Sequence, residues 1–161
     1  MTQRVLVRCA LNGKPAECFA DVRMSLADML REEFGLKSVK KGCEAGECGA
    51  CTVLVDNESV NSCLYLAVWA EGKDILTVEG LTKPDGGLSA VQQAFVEEGA
   101  IQCGFCTPGF LLTAYELVSR GRTYTEEELR KELSGHLCRC TGYENIVKAV
   151  KRLTGTEPER G

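Results

Sequence analysis

The chain has 161 residues, enough for one large domain or two small ones. Apolar residues make up 44% and charged residues 26%, which excludes a disordered tail. Nineteen basic and 23 acidic residues leave a formal charge of −4, spread as 9 and 12 over residues 1–80 and 10 and 11 over residues 81–161. With no basic half, no nucleic-acid partner is expected.

The longest purely apolar run, Leu64 to Ala70, is far below the ~20 residues of a membrane span, so no membrane partner is expected either. The start, MTQRVLVRCALNGK, holds no apolar signal core and no twin arginine, and the expectation is a soluble, cytoplasmic protein. Ten cysteines are about 6% of the chain, below the level of a small disulfide scaffold. Cytoplasmic thiols stay reduced, and clustered reduced thiols bind metal more often than each other.

Val5, Val7, Cys9 and Leu11 share one face of a period-two strand. Asn12-Gly13 is a strong hairpin signal, and a second strand follows over roughly residues 14–20. Ser25 opens a helix as N-cap, with Asp28 near its positive end, a stripe of Leu26, Met29, Leu30 and Phe34, and Gly35 as its stop. Residues 38–51 read as a cysteine-loaded loop punctuated by Gly42, Gly46 and Gly49. Thr52 to Val55, Val60 and Asp74 to Val78 read as strands, with a turn at Asp56-Asn57.

Residues 82–88, TKPDGGL, read as a linker, after which the pattern turns helical. Ser89 caps a helix carrying Val91, Ala94 and Phe95. Thr107-Pro108 starts a second, with Leu111, Leu112, Tyr115 and Val118 at helical spacing. Thr125 with Glu128 reads as a capping box for a third, ending near Leu133. Thr141 with Glu144 reads as another for a fourth, carrying Ile146, Val147, Val150 and Leu153. The tail from residue 154 is expected to fray. The expected class is α+β: a sheet domain over residues 1–80 and four helices over residues 81–161.

Cys43-x4-Cys48-x2-Cys51 with a distant Cys63 has the plant-type ferredoxin spacing for a [2Fe–2S] cluster. Four thiolates must converge on two irons, and glycines let the backbone wrap close and aim its N–H groups at sulfur. A structural zinc site fits this triple poorly. Cys103-x2-Cys106 and Cys138-x-Cys140 fall in alternate interhelical loops, at one end of an antiparallel bundle. They suit a second [2Fe–2S] cluster, with a four-thiolate zinc as the rival on spacing alone.

CEAGECGACTV, QCGFCTPG and LCRCTGY, in that order, resemble the iron–sulfur subunit of the molybdenum hydroxylases, the xanthine dehydrogenase and carbon monoxide dehydrogenase family. Within it, SCLYLAVWAEGKDI at residues 62–75 is most similar to bacterial xanthine dehydrogenase small subunits. The resemblance implies a β-grasp ferredoxin-like domain followed by a four-helix bundle, each with one [2Fe–2S] cluster. It implies a large molybdopterin-binding subunit and a medium FAD-binding subunit as partners, in a dimer of heterotrimers. Electrons would pass from molybdopterin through a cluster on Cys103, Cys106, Cys138 and Cys140, then one on Cys43, Cys48, Cys51 and Cys63, to FAD. Gln102 and Cys140 match the family positions nearest the pterin. Xanthine or another purine is the implied substrate, with carbon monoxide, aldehyde, nicotinate or aromatic acyl-CoA as alternatives.

Cys9 and Cys18 lie outside both sets and read as buried free thiols. His136, the only histidine, reads as a hydrogen-bonding neighbour of the second site or an exposed side chain. Lys37, Lys40 and Lys41 read as a solvated or docking patch, and Arg139 as a charge forced close to the second site. No catalytic residue is expected, because no nucleotide loop and no nucleophile–base pair is present. The rivals in other classes are a zinc-stabilised interaction module and a free-standing ferredoxin.

Overall fold

A computed structural model describes residues 3–155, so most of the tail expected to fray lies outside the described residues. The order is β1 (Arg4–Leu11), β2 (Lys14–Asp21), α1 (Leu26–Asp28), β3 (Thr52–Val55), β4 (Glu58–Asn61) and β5 (Asp74–Leu76), then α2 (Ala90–Glu97), α3 (Thr107–Ser119), α4 (Glu126–Glu132) and α5 (Glu144–Thr154). The strands form one mixed sheet in the order β2-β1-β5-β3-β4, with β1 and β5 parallel. This is an α+β chain: a five-stranded sheet lobe followed by a helical lobe.

Both hairpins turn on two left-handed residues, Asn12 and Gly13 (φ 51° and 75°) and Asp56 and Asn57 (φ 51° and 69°). That geometry matches strand twist. The register runs from Arg4 opposite Asp21 to Leu11 opposite Lys14, and it turns Val7, Cys9 and Leu11 into the core. Ser25 caps α1 by accepting the Asp28 N–H at 3.1 Å. The regular helix expected here is three residues long and widens into a π-helical segment, Met29–Glu33. Leu26, Met29 and Leu30 are fully buried, and Gly35 (φ 69°) ends the run.

β5 is shorter than expected and gives way to a 3₁₀ turn over Val78–Leu81. Asn12 accepts the Thr77 N–H at 2.8 Å, and Glu79 accepts the Ser38 and Thr77 hydroxyls, both at 2.6 Å. This network ties the exit of the sheet to the entrance of the cysteine loop. In the expected linker, a turn forms through Lys83 N–H on the Gly87 carbonyl at 2.9 Å.

Ser89 and Gln92 make a full capping box on α2, as Thr125 and Glu128 do on α4. Removing the latter hydroxyl (Thr125→Ala) should cost about 1 kcal/mol. That is roughly 2–4 °C of melting temperature by circular dichroism, with any bound metal unaffected. The helical core holds Phe95, Phe110, Leu112, Leu117, Tyr124, Leu129 and Ile146. Tyr115 and Val118 are only half-buried; the inner face of α3 runs through Phe110, Ala114 and Leu117 instead. α3 also packs on β3 and β4, where the Glu116 carboxylate accepts both the N–H (3.1 Å) and the hydroxyl of Ser59.

The expected Thr141–Glu144 capping box does not form. Tyr143 stands at the N-cap of α5 in the left-handed region (φ 70°) with no side-chain cap, because the Thr141 hydroxyl is engaged elsewhere. No helix among the described residues is long and apolar enough to cross a membrane.

Candidate metal centres

The first four cysteines come together around the loop that enters β3. Cys43 Sγ accepts three backbone N–H groups, from Ala45 (3.4 Å), Glu47 (3.3 Å) and Cys48 (3.4 Å). Those donors, Ala45 first, bring its thiol down to about 6. The loop must fold tightly to aim three amides at one sulfur. Gly42 is a glycine for that reason: a Cβ there would lie 2.9 Å from Cys48 Sγ. Asn61 on β4 donates to the Gly46 carbonyl at 3.0 Å and pins the loop's crest.

Cys51 and Cys63 meet on the inner side. Burial pushes the Cys51 thiol up to about 12; the Cys63 N–H on its sulfur opposes this and the neighbouring Cys63 thiol adds to it. Cys43 is exposed, Cys48 and Cys63 are half-buried, and Cys51 is buried. The sulfurs therefore form an outer pair, Cys43 with Cys48, and an inner pair, Cys51 with Cys63.

The other four cysteines meet at one end of the helices. Cys103 and Cys140 are exposed, with their sulfurs 3.6 Å apart. Cys106 and Cys138 pair on the inner side, where burial pushes the Cys106 thiol up to about 12. Burial also works to raise Cys138, but the hydrogen bonds on its sulfur, from the Thr141 hydroxyl and N–H first and then from the Cys140 N–H and the Cys106 thiol, outweigh it and bring the thiol down. The Cys138 N–H donates to the Tyr143 phenol at 2.9 Å.

Both quartets thus present soft sulfur in two pairs. Two thiolates per iron is what a [2Fe–2S] cluster takes, and cationic iron relieves the cost of ionising the buried inner thiols. The donor sets fit that group.

The two quartets share a seam. Leu137 N–H donates to the Cys48 carbonyl at 3.0 Å, linking a residue of the first quartet to the neighbour of Cys138. His136 is buried at 5% exposure, with Nε2 2.7 Å from the Thr113 hydroxyl and its ring centroid 4.7 Å from that of Phe110. Burial pushes its pKa down to about 4, so it is neutral near pH 7. Of the two expectations for His136, the exposed one fails. His136 also packs against Gly49, where an added Cβ would overlap its Nδ1, and nothing in the local sequence announces that contact.

Gln102 is exposed beside Cys103, and Arg139 is exposed between Cys138 and Cys140. Lys41 is no free patch: it bridges Asp28 (2.6 Å) and Glu44 (3.0 Å), while Lys37 donates to the Arg31 carbonyl at 2.7 Å. Cys9 is a buried free thiol as expected, whereas Cys18 is half-buried. Sequence reasoning missed the Thr141 hydroxyl and the Tyr143 phenol as partners of Cys138, because the Thr141–Glu144 spacing imitates a helix cap.

Comparison with known proteins agrees with this geometry. Residues 9–77 match the 2Fe-2S iron-sulfur cluster binding domain, and residues 77–151 match the [2Fe-2S] binding domain. The chain is 50% identical to the xanthine dehydrogenase iron-sulfur-binding subunit of Escherichia coli O157:H7, over 92% of this chain and 94% of that one. It is 49% identical to the nicotine 6-hydroxylase small subunit of Paenarthrobacter nicotinovorans, over 96% and 92%. A chain of quinoline 2-oxidoreductase from Pseudomonas putida 86 superimposes with a TM-score of 0.89 at 47% identity, covering 92% of this chain and 91% of that one.

Fold and sulfur quartets together define a protein of two [2Fe–2S] domains. The chain belongs to the family of iron–sulfur subunits of the molybdenum hydroxylases, in which it is the electron-transfer subunit of an oxidoreductase.

Proposed function

We propose that the chain carries single electrons from a molybdopterin centre on a large partner subunit to FAD on a medium one. When bound, each [2Fe–2S] cluster supplies a one-electron carrier. Cys103 with Cys140 and Cys106 with Cys138 hold the two irons of the entry cluster. Cys43 with Cys48 and Cys51 with Cys63 hold those of the exit cluster. The division falls at residues 80/81, between a β-grasp ferredoxin-like domain and a four-helix bundle.

The observation that carries this reading is the seam, where Leu137 N–H on the Cys48 carbonyl joins the two quartets. The exposure pattern supports the direction. Cys103 and Cys140 face outward next to Gln102, which suits contact with a pterin, while Cys43 faces outward from the other quartet. The assembly we propose is a cytoplasmic dimer of heterotrimers. Its substrate is an N-heteroaromatic ring, with xanthine first, since the three relatives above are named for xanthine, nicotine and quinoline.

Metal analysis with EPR tests the assignment. The loaded chain should contain about four iron and four sulfide, and dithionite should produce two distinct rhombic signals. Zinc in place of iron, or a single signal from fully loaded protein, would overturn it.

A further inference from the structure

The Thr141 hydroxyl is engaged twice. Its Oγ1 takes the Tyr143 N–H at 3.2 Å and stands 3.0 Å from Cys138 Sγ. An amide N–H only donates, so Tyr143 uses a lone pair of that hydroxyl and leaves its proton for the sulfur. Metal-bound thiolate carries no proton of its own, which fixes the same direction. Thr141 N–H donates to the same sulfur at 3.3 Å. Tyr143 holds the Cys138 backbone from the other side, so sulfur and hydroxyl keep their register.

We propose that Thr141 is a positioning residue that raises the redox potential of the cluster in the helical lobe, through a hydroxyl–sulfur hydrogen bond to Cys138. The proposal rests on Cys138 being a ligand of that cluster. Reduction adds negative charge to the cluster, and a hydrogen bond to ligand sulfur strengthens as that charge grows, so the donor favours the reduced form. The Tyr143 N–H polarises the hydroxyl and strengthens the donor further.

The two quartets differ here in a way that can be used. At Cys43 all three recorded donors are backbone amides, which no side-chain substitution deletes. At Cys138 the backbone N–H groups of Thr141 and Cys140 are joined by a side-chain donor, the Thr141 hydroxyl. The potential of the helical-lobe cluster is therefore adjustable at one residue with the backbone left in place.

Redox titration of the iron-loaded full chain, followed by EPR, tests this with Thr141→Val and Thr141→Ser. Two signals in the unaltered chain establish the two-cluster reading whatever the variants do. Valine keeps the shape and removes the hydroxyl. The reduced-to-oxidised ratio of one signal at fixed ambient potential should fall roughly tenfold, the scale of one charge-assisted hydrogen bond. Serine should hold the original midpoint, and the other signal should not move in either variant.

Fully loaded Thr141→Val with both midpoints unchanged overturns the proposal, as does an equal shift of both signals. If the valine variant loses iron, Thr141→Ala is read against serine in the same way. A lower midpoint in alanine alone sustains the assignment, and equal midpoints overturn it.

Discussion

Gly49→Ala should unfold the seam between the lobes and cost about 3 kcal/mol or more. Gly49 sits at φ 66°, and an added Cβ would overlap His136 Nδ1 and lie 2.5 Å from the Gly135 carbonyl oxygen. Neither obstacle can retreat. The His136 ring is held by Thr113 and Phe110, and Gly135 leads straight into the Leu137 hydrogen bond on Cys48. From the facing side, a Cβ at Gly109 would overlap the Gly49 carbonyl, so the approach is tight from both lobes.

The control is Gly46→Ala, at the comparable φ of 79°. Its Cβ would come within 2.5 Å of Leu64 Cδ1, the end of a flexible and exposed side chain that can swing away. It should cost only the left-handed backbone penalty, about 1–2 kcal/mol. Urea unfolding with iron analysis compares the two. Equal midpoints for both variants would show that backbone strain, and not the seam, is what Gly49 relieves.

Cys48→Ser should remove one cluster and leave the other. The serine hydroxyl is a hard donor that stays protonated near neutral pH, so it replaces a thiolate poorly on iron. Iron should fall from about four to about two per chain, and one of the two EPR signals should vanish. In the assembled complex, flavin reduction by substrate should fall to the level of protein lacking that cluster. A dye that takes electrons upstream should still support turnover. Normal flavin reduction in the variant would show that the order of carriers is wrong.

Much of this was readable from residues alone, because the signals are short-range. Asn12-Gly13 and Asp56-Asn57 state their turns chemically, Ser89 and Thr125 mark helix starts, and Pro108 opens α3. The cysteine spacings place thiols in loops, and alternate interhelical loops do meet at one end of the helices.

What sequence hid is of two kinds. Some of it depends on tertiary packing. The widening of α1 into a π-helical segment and the burial of His136 against Thr113 both answer to neighbours far along the chain. The rest is competition for one side chain. Thr141 and Glu144 have capping-box spacing, but the left-handed Tyr143 breaks the helix entry and the hydroxyl goes to sulfur. Lys41 likewise reads as surface charge until Asp28 and Glu44 close around it.

β4 is an outermost strand of the sheet, and Glu116, a residue of α3, satisfies its Ser59 amide. Severing the polypeptide between sheet and helices would strip that margin of the carboxylate and leave the Ser59 amide open to a like strand from another molecule. The helical half therefore also shields this margin of the sheet, and each half is best expressed and engineered with the other.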